Sequence, residues 1–179
     1  MAPLFAGRTN VRAPIRNTKR IAQLFSSLSG ERLTPRGNDG PLVRLVECDP
    51  DDVVGCADDA VEALLDEGWE PGSVALLTTH HRHPEQKQAV DVGGHAAYWD
   101  AFLAEEDVFY GHVLGFKGLE RPAVVLAVNG FRDEARAREM LYVGLSRARD
   151  LLVVCGDLNL IRRVGGEGVA QRLTTATTR

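Results

Sequence analysis

Short apolar runs alternate along the chain with polar, glycine-marked breaks, and their spacing predicts an α/β fold. Five runs read as strands: 42–48, 73–78, 108–113, 123–128 and one that begins at Leu151. Val74 to Leu77 is continuously apolar, which suits a strand covered on both faces. Segments of helical period lie between most of them. Ile21, Phe25 and Leu28 form a narrow stripe behind Asn17, a good N-cap residue. Val53, Ala57, Ala60, Val61, Leu64 and Leu65 form another, opened by Asp49-Pro50-Asp51-Asp52 and closed by Gly68. Ala89 to Leu103 carries Tyr98, Trp99 and Phe102 at helical spacing, a pattern that packing explains more often than base stacking does. Leu158 to Val164 predicts a last short helix. Strands alternating with helices describe a mainly parallel, doubly wound sheet.

Two stretches carry the candidate chemistry. At about 100° per residue, Met140, Leu141, Gly144, Leu145 and Ala148 share one stripe, with Arg147 at its edge. Tyr142, Val143 and Ser146 then face away, which leaves either a second surface for a partner or ligand, or an ordinary surface helix with solvated arginines. Upstream, Leu114 to Arg121 is shorter than the dozen or so residues a parallel crossover usually needs, so the flanking strands form a hairpin or an unusually tight crossover. Gly115 and Gly118 there permit positive φ or close approach of a phosphate or ribose.

Composition narrows the function classes. A chain of 179 residues with 44% hydrophobic content fits one α/β domain with a full core. No apolar run approaches the ~20 residues of a membrane span and no signal-peptide order opens the chain, so a cytoplasmic protein is expected. Cys48, Cys56 and Cys155 contain no C-x-x-C pair and read as reduced core residues. The net charge of −4 excludes a protein coated in nucleic acid, so any DNA contact is local. Basic residues gather from Arg8 to Arg20 and from Arg132 to Arg149, while the acidic Asp49 to Glu70 is expected to face away. His80-His81-Arg82-His83 has no Cys or acidic partner at ligand spacing, which argues against a metal and for a strand-end loop near nucleic acid or a partner domain. A P-loop is missing, since no Gly is followed by Lys, and no apolar strand ends in the Asp-Glu that would hold Mg²⁺ and orient water. The chain is not expected to hydrolyse ATP by itself.

Phe116-Lys117-Gly118-Leu119-Glu120 resembles motif V (T-x-H-x-x-K-G-L-E) of the UvrD/Rep family of superfamily 1 DNA helicases. Tyr142 to Arg149, YVGLSRAR, resembles motif VI (Y-V-A-x-T-R-A) of the same family, in the right order and spacing. Ile15-Arg16-Asn17-Thr18 followed by Ile21 is similar to motif IV, with Pro14 where the family usually has Asn. The resemblance covers nearly the whole chain. It implies the second, C-terminal RecA-like motor domain, a P-loop NTPase fold without its own P-loop and without the large insertion many members carry.

That resemblance implies a role for each matching residue. Arg147 would be the finger or sensor of the ATP γ-phosphate, with Arg16 a second contact. Glu120 would lie near the ribose, with Gly118 giving close approach. ATP and Mg²⁺ would be bound mainly by an N-terminal RecA-like ATPase domain, a partner absent from this chain. On the DNA side, His112 and Leu114 stand where the family has Thr and His, and His112, Lys117, His80 and Arg82 are the expected single-strand contacts. Residues 1–13 are expected to be a flexible segment, 14–164 the domain, and 165–179 a disordered tail. The implied function is the motor domain of an ATP-dependent helicase or translocase; the rival is a stand-alone nucleic-acid or protein-binding module derived from one.

Overall fold

The computed structural model describes residues 17–29 and 37–177. Arg16, and with it Ile15 of the segment similar to motif IV, lies outside the described residues, as does the expected N-terminal segment 1–13. Five strands, β1 (Arg44–Glu47), β2 (Val74–Thr78), β3 (Phe109–His112), β4 (Arg121–Val128) and β5 (Ala148–Gly156), form one sheet in the order β1-β5-β4-β2-β3. Every pairing is parallel, as the expected doubly wound α/β class requires. Side chains alternate across it. Ala75, Leu77, Val124, Leu126, Leu152 and Val154 face one layer of core, and Val74, Leu76, Val125, Ala127, Val153 and Cys155 face the other.

The helices divide unequally between those faces. Among the described residues α2 (Val53–Asp66) is the helix that covers the second face, through Val53, Ala57, Val61 and Leu64, and it carries its acidic residues outward. α1 (Lys19–Ser29), α4 (Ala137–Leu145), α5 (Leu158–Gly165) and α6 (Glu167–Thr177) pack together on the first face. α3 (Pro84–Ala104) is interrupted at Gly94 (φ 75°, ψ 174°), and its second half packs Tyr98 and Phe102 beside β3. Among the described residues no helix is long and apolar enough to cross a membrane.

The connection from β3 to β4 is neither a hairpin nor a crossover between neighbours, because β2 lies between the two strands. His112 is level with Thr78 and Ala123 with Val74, so the chain must return four residues along the strands and two strands across. That is about 13 Å by about 10 Å at standard strand spacings, within the reach of a short coil. Phe116, 1% exposed, anchors the return: its ring stands 5.5 Å from that of Phe102 and 5.8 Å from that of Phe109.

Four expectations are corrected. Residues 167–177 are not a disordered tail but the helix α6, whose Val169, Ala170 and Leu173 are fully buried against α1 and β1. α2 begins at Val53 rather than at Pro50, because the Asp49 carboxylate accepts from the Asp51 amide in a tight turn ahead of the helix. The side of α4 left open as either a surface for a partner or ligand or an ordinary solvated face is neither, being covered by α1: Val143 is buried, and the Tyr142 ring meets that of Phe25 edge-on at 5.5 Å. α4 also stops at Leu145, so Arg147 is not on the helix.

Phe116→Ala is expected to cost about 3–5 kcal/mol in urea unfolding, while Leu114→Ala, on the exposed side of the same return, changes stability by less than about 0.5 kcal/mol. Leu173→Ala is expected to cost about 2–5 kcal/mol, whereas a frayed tail would leave the midpoint unmoved.

Candidate functional site

Because every strand runs the same way, the candidate residues sort onto two opposite ends of the sheet. The first end is where β4 and β5 begin. Ser146 and Arg147 make a two-residue connection from α4 into β5, since Ala148 is already paired with Arg121 of β4. Arg147 is half-buried and folded back on its own turn. Its Nε donates to the Val143 carbonyl at 3.0 Å, its Nη2 to the Ser146 hydroxyl at 2.8 Å and its Nη1 to the Leu119 carbonyl at 3.3 Å. Desolvation holds its pKa below the ordinary arginine value, and the nearby Tyr142 and Glu120 act in the opposite direction. Glu120, the residue before β4, has its carboxylate 4.0 Å from the Arg149 guanidinium. Gly118 sits at φ +87°, a left-handed conformation that L side chains rarely adopt, and a Cβ there would meet open space. In this domain the glycine is therefore required by the turn, not by a crowded neighbour.

Sequence reasoning missed two residues at this end. Arg121 is 2% exposed and makes a 2.7 Å ion pair with Glu105, donates to the Phe102 carbonyl, and stacks its guanidinium 4.0 Å over the Phe102 ring. A lone arginine at a strand start gives no sequence signal of such burial. Asn17 was legible only as a helix cap. Instead its Nδ2 donates to the carbonyls of Ser146 (3.0 Å) and Ala148 (2.5 Å), on either side of Arg147.

The second end is where β2, β3 and β4 finish. A cavity of about 900 Å³ opens there, and His80, Arg82 and His112 line it together with Trp99, Arg132 and Arg136. Asp133 and Glu134 share the rim, so its charge is mixed. His80 stacks on His81 with ring centroids 3.9 Å apart. Burial, followed by the positive charge of Arg82 and His80, lowers the His112 pKa against backbone contacts that raise it. The neutral imidazole accepts from the Leu114 amide at 3.2 Å. Asn129, at the end of β4, holds the loop in place: its Oδ1 accepts from the amides of Thr79 (3.2 Å) and His80 (2.9 Å), and its Nδ2 donates to the His81 carbonyl (3.0 Å). This residue too had no signal in the sequence.

Two members of the histidine and lysine set are engaged elsewhere. His83 is 3% exposed, caps α3 by accepting from the Glu85 amide, lies 2.9 Å from the Asp58 carboxylate and stacks on Tyr110. An acidic partner thus comes from α2, far away in sequence. Lys117 is not among the residues that line the cavity and pairs across 3.5 Å with Glu139 of α4. The structure therefore brings His80, Arg82 and His112 together, separates them from Arg147, Glu120 and Gly118, and leaves Lys117 apart.

No curated protein matches the sequence. A solved structure, the C-terminal domain of a possible DNA helicase from Lactobacillus plantarum WCFS1, is similar at 20% identity with a TM-score of 0.48, over 81% of this chain and 88% of that one. The family model of the UvrD-like helicase C-terminal domain matches residues 111–155, which run from the end of β3 through the return, β4 and α4 into β5. The resemblance read from the two signature motifs therefore holds over this segment, where the chain is similar to UvrD-like helicase C-terminal domains.

Proposed function

We propose that this chain works as the C-terminal RecA-like motor domain of an ATP-dependent superfamily 1 DNA helicase or translocase. In this reading its first end completes an ATP site held mainly by a P-loop domain, and its second end contacts single-stranded DNA. The observation that carries it is Arg147: a guanidinium in a two-residue turn, inside the segment that matches the family, half-buried beside one carboxylate and a second arginine. The donor set fits a nucleotide phosphate. Arg147 offers a planar fork, partial burial strengthens its field, and Glu120 supplies an acceptor suited to a ribose hydroxyl.

Bound at the interface, ATP with Mg²⁺ supplies the phosphoryl group on which charge shifts during hydrolysis. This chain's residues orient and stabilise. Arg147 gives up hydrogen bonds to Val143, Ser146 and Leu119 and turns its fork outward, where a cation in a partly water-excluded site counts for more than in water. Glu120 keeps its place through Arg149. At the other end Arg82, Arg132 and His112 present donors to DNA phosphates, and Trp99 offers a ring edge to a base. A second γ-phosphate contact from Arg16 is part of the same proposal.

Three outcomes are expected. The chain alone shows no ATPase activity above background with or without single-stranded DNA; turnover that follows the chain through purification and mutation overturns the reading. Joined to its P-loop domain, Arg147→Ala lowers turnover by about 10³-fold, Arg147→Lys recovers little, and Arg149→Ala is far milder. Greater damage from Arg149→Ala would place the finger wrongly. Single-stranded DNA binding by the chain is weak and falls steeply with salt, and Arg82→Ala weakens it further; tight, salt-insensitive binding would contradict the assignment of the second end.

A further inference from the structure

The turn that carries Arg147 is tied to α4 through its amides, Ser146 donating to the Tyr142 and Val143 carbonyls and Arg147 to the Gly144 carbonyl. Ser146 and Arg147 lie between the last residue of α4 and the first of β5, and the four carbonyls from Ser146 to Arg149 are all bonded from outside. The Arg121 amide donates to the Arg147 carbonyl at 3.2 Å and the Thr18 amide to the Arg149 carbonyl at 3.0 Å. The remaining two, on Ser146 and Ala148, both accept from one side chain, the Asn17 amide. Resting on the function proposed above, we propose that Asn17 is a positioning residue for Arg147, fixing the backbone on both sides of the arginine so that its fork swings from a stationary base.

Three observations carry this. Both partners of Asn17 are acceptors, and a side-chain NH₂ has the two donors needed to serve two carbonyls at once. Asn17 is itself held: the Lys19 amide next to it donates to the Asn38 carbonyl at 2.9 Å, and the 37–40 segment packs so closely that a Cβ on Gly37 would lie 2.7 Å from the Asn17 carbonyl oxygen. Finally, the hydrogen bonds that hold the guanidinium, to Val143, Ser146 and Leu119, must break when it turns outward. The backbone contacts need not. The side chain is thus free to move while its Cα is not, and a displacement of about 1 Å in such a group can cost about 10²-fold in rate.

The test is a double-mutant cycle in the polypeptide that joins this domain to its P-loop domain. Asn17→Ala is expected to lower kcat by about 10- to 100-fold with a smaller change in the KM for ATP. Asn17→Asp, the same shape with an acceptor where the donor was, is expected to do no better. In the Arg147→Ala background, Asn17→Ala should have no further effect. A binding readout runs beside it: the preference for a non-hydrolysable ATP analogue over ADP should fall in Asn17→Ala as it does in Arg147→Ala. If Asn17→Ala melts below the assay temperature, Asn17→Ser, which keeps one donor, is read in the same cycle and should lie between. The inference is overturned if Asn17→Ala lowers kcat by the same factor with and without Arg147, or if it lowers only the melting temperature. A severe Arg147→Ala with a silent Asn17→Ala sinks this inference alone; a silent Arg147→Ala removes the functional reading and the positioning role together.

Discussion

Two parallel strands with a third between them have to be joined by a return too short for a helix, and the placement of the signature residues depends on how that return is held down. Burial of Phe116 against Phe102 and Phe109 supplies the hold. An aromatic side chain of this size contributes more by burial than any polar contact in the segment, because a net hydrogen bond is worth only about 1 kcal/mol. Once Phe116 is seated, Gly118 can turn, Leu119 can offer its carbonyl to Arg147, and Glu120 arrives at the start of β4 beside Arg149. The F-K-G-L-E stretch is therefore a packing device. Its phenylalanine decides where its glutamate stands.

Polar contacts then refine what packing has placed. Arg121 shows how much charge this end of the sheet tolerates: it is nearly inaccessible, yet Glu105, the Phe102 carbonyl and the Phe102 face together replace most of its hydration. Arg147 is only half-buried and spends its donors on carbonyls and a hydroxyl, contacts weaker than an ion pair. The first is neutralised by a carboxylate; the second bonds neutral acceptors, with Glu120 near enough to act on its charge.

Much of the fold was legible because a sheet covered on both faces needs continuous apolar runs, and β2, β4 and β5 show them. The end of α4 was not. Ser146, Arg147 and Ala148 continue the helical period, and what stops the helix is the pairing of Ala148 with Arg121 in a neighbouring strand, a tertiary event. The tail was misread for a related reason: Val169, Ala170 and Leu173 make a short stripe, but threonines and glycines around it mask a helix that exists by packing on α1 and β1. At the site, residues in contiguous motifs could be read. Asn17, Arg121 and Asn129 act on partners 16 or more residues away, and nothing in their local sequence records that.

The acidic balance of the chain bears on whether either end can attract a polyanion. The sheet itself answers this. Asp59, Glu62 and Asp66 ride on α2, on the face opposite α1 and α4, and packed layers are separated by about 10 Å. At physiological ionic strength charges lose most of their influence over about 8 Å of solvent, so the field at each strand end is set by what stands there rather than by the total. At the second end that is Arg82, Arg132 and Arg136 against Asp133 and Glu134, a small local excess of positive charge. A domain built this way can hold an anion only where its cations converge.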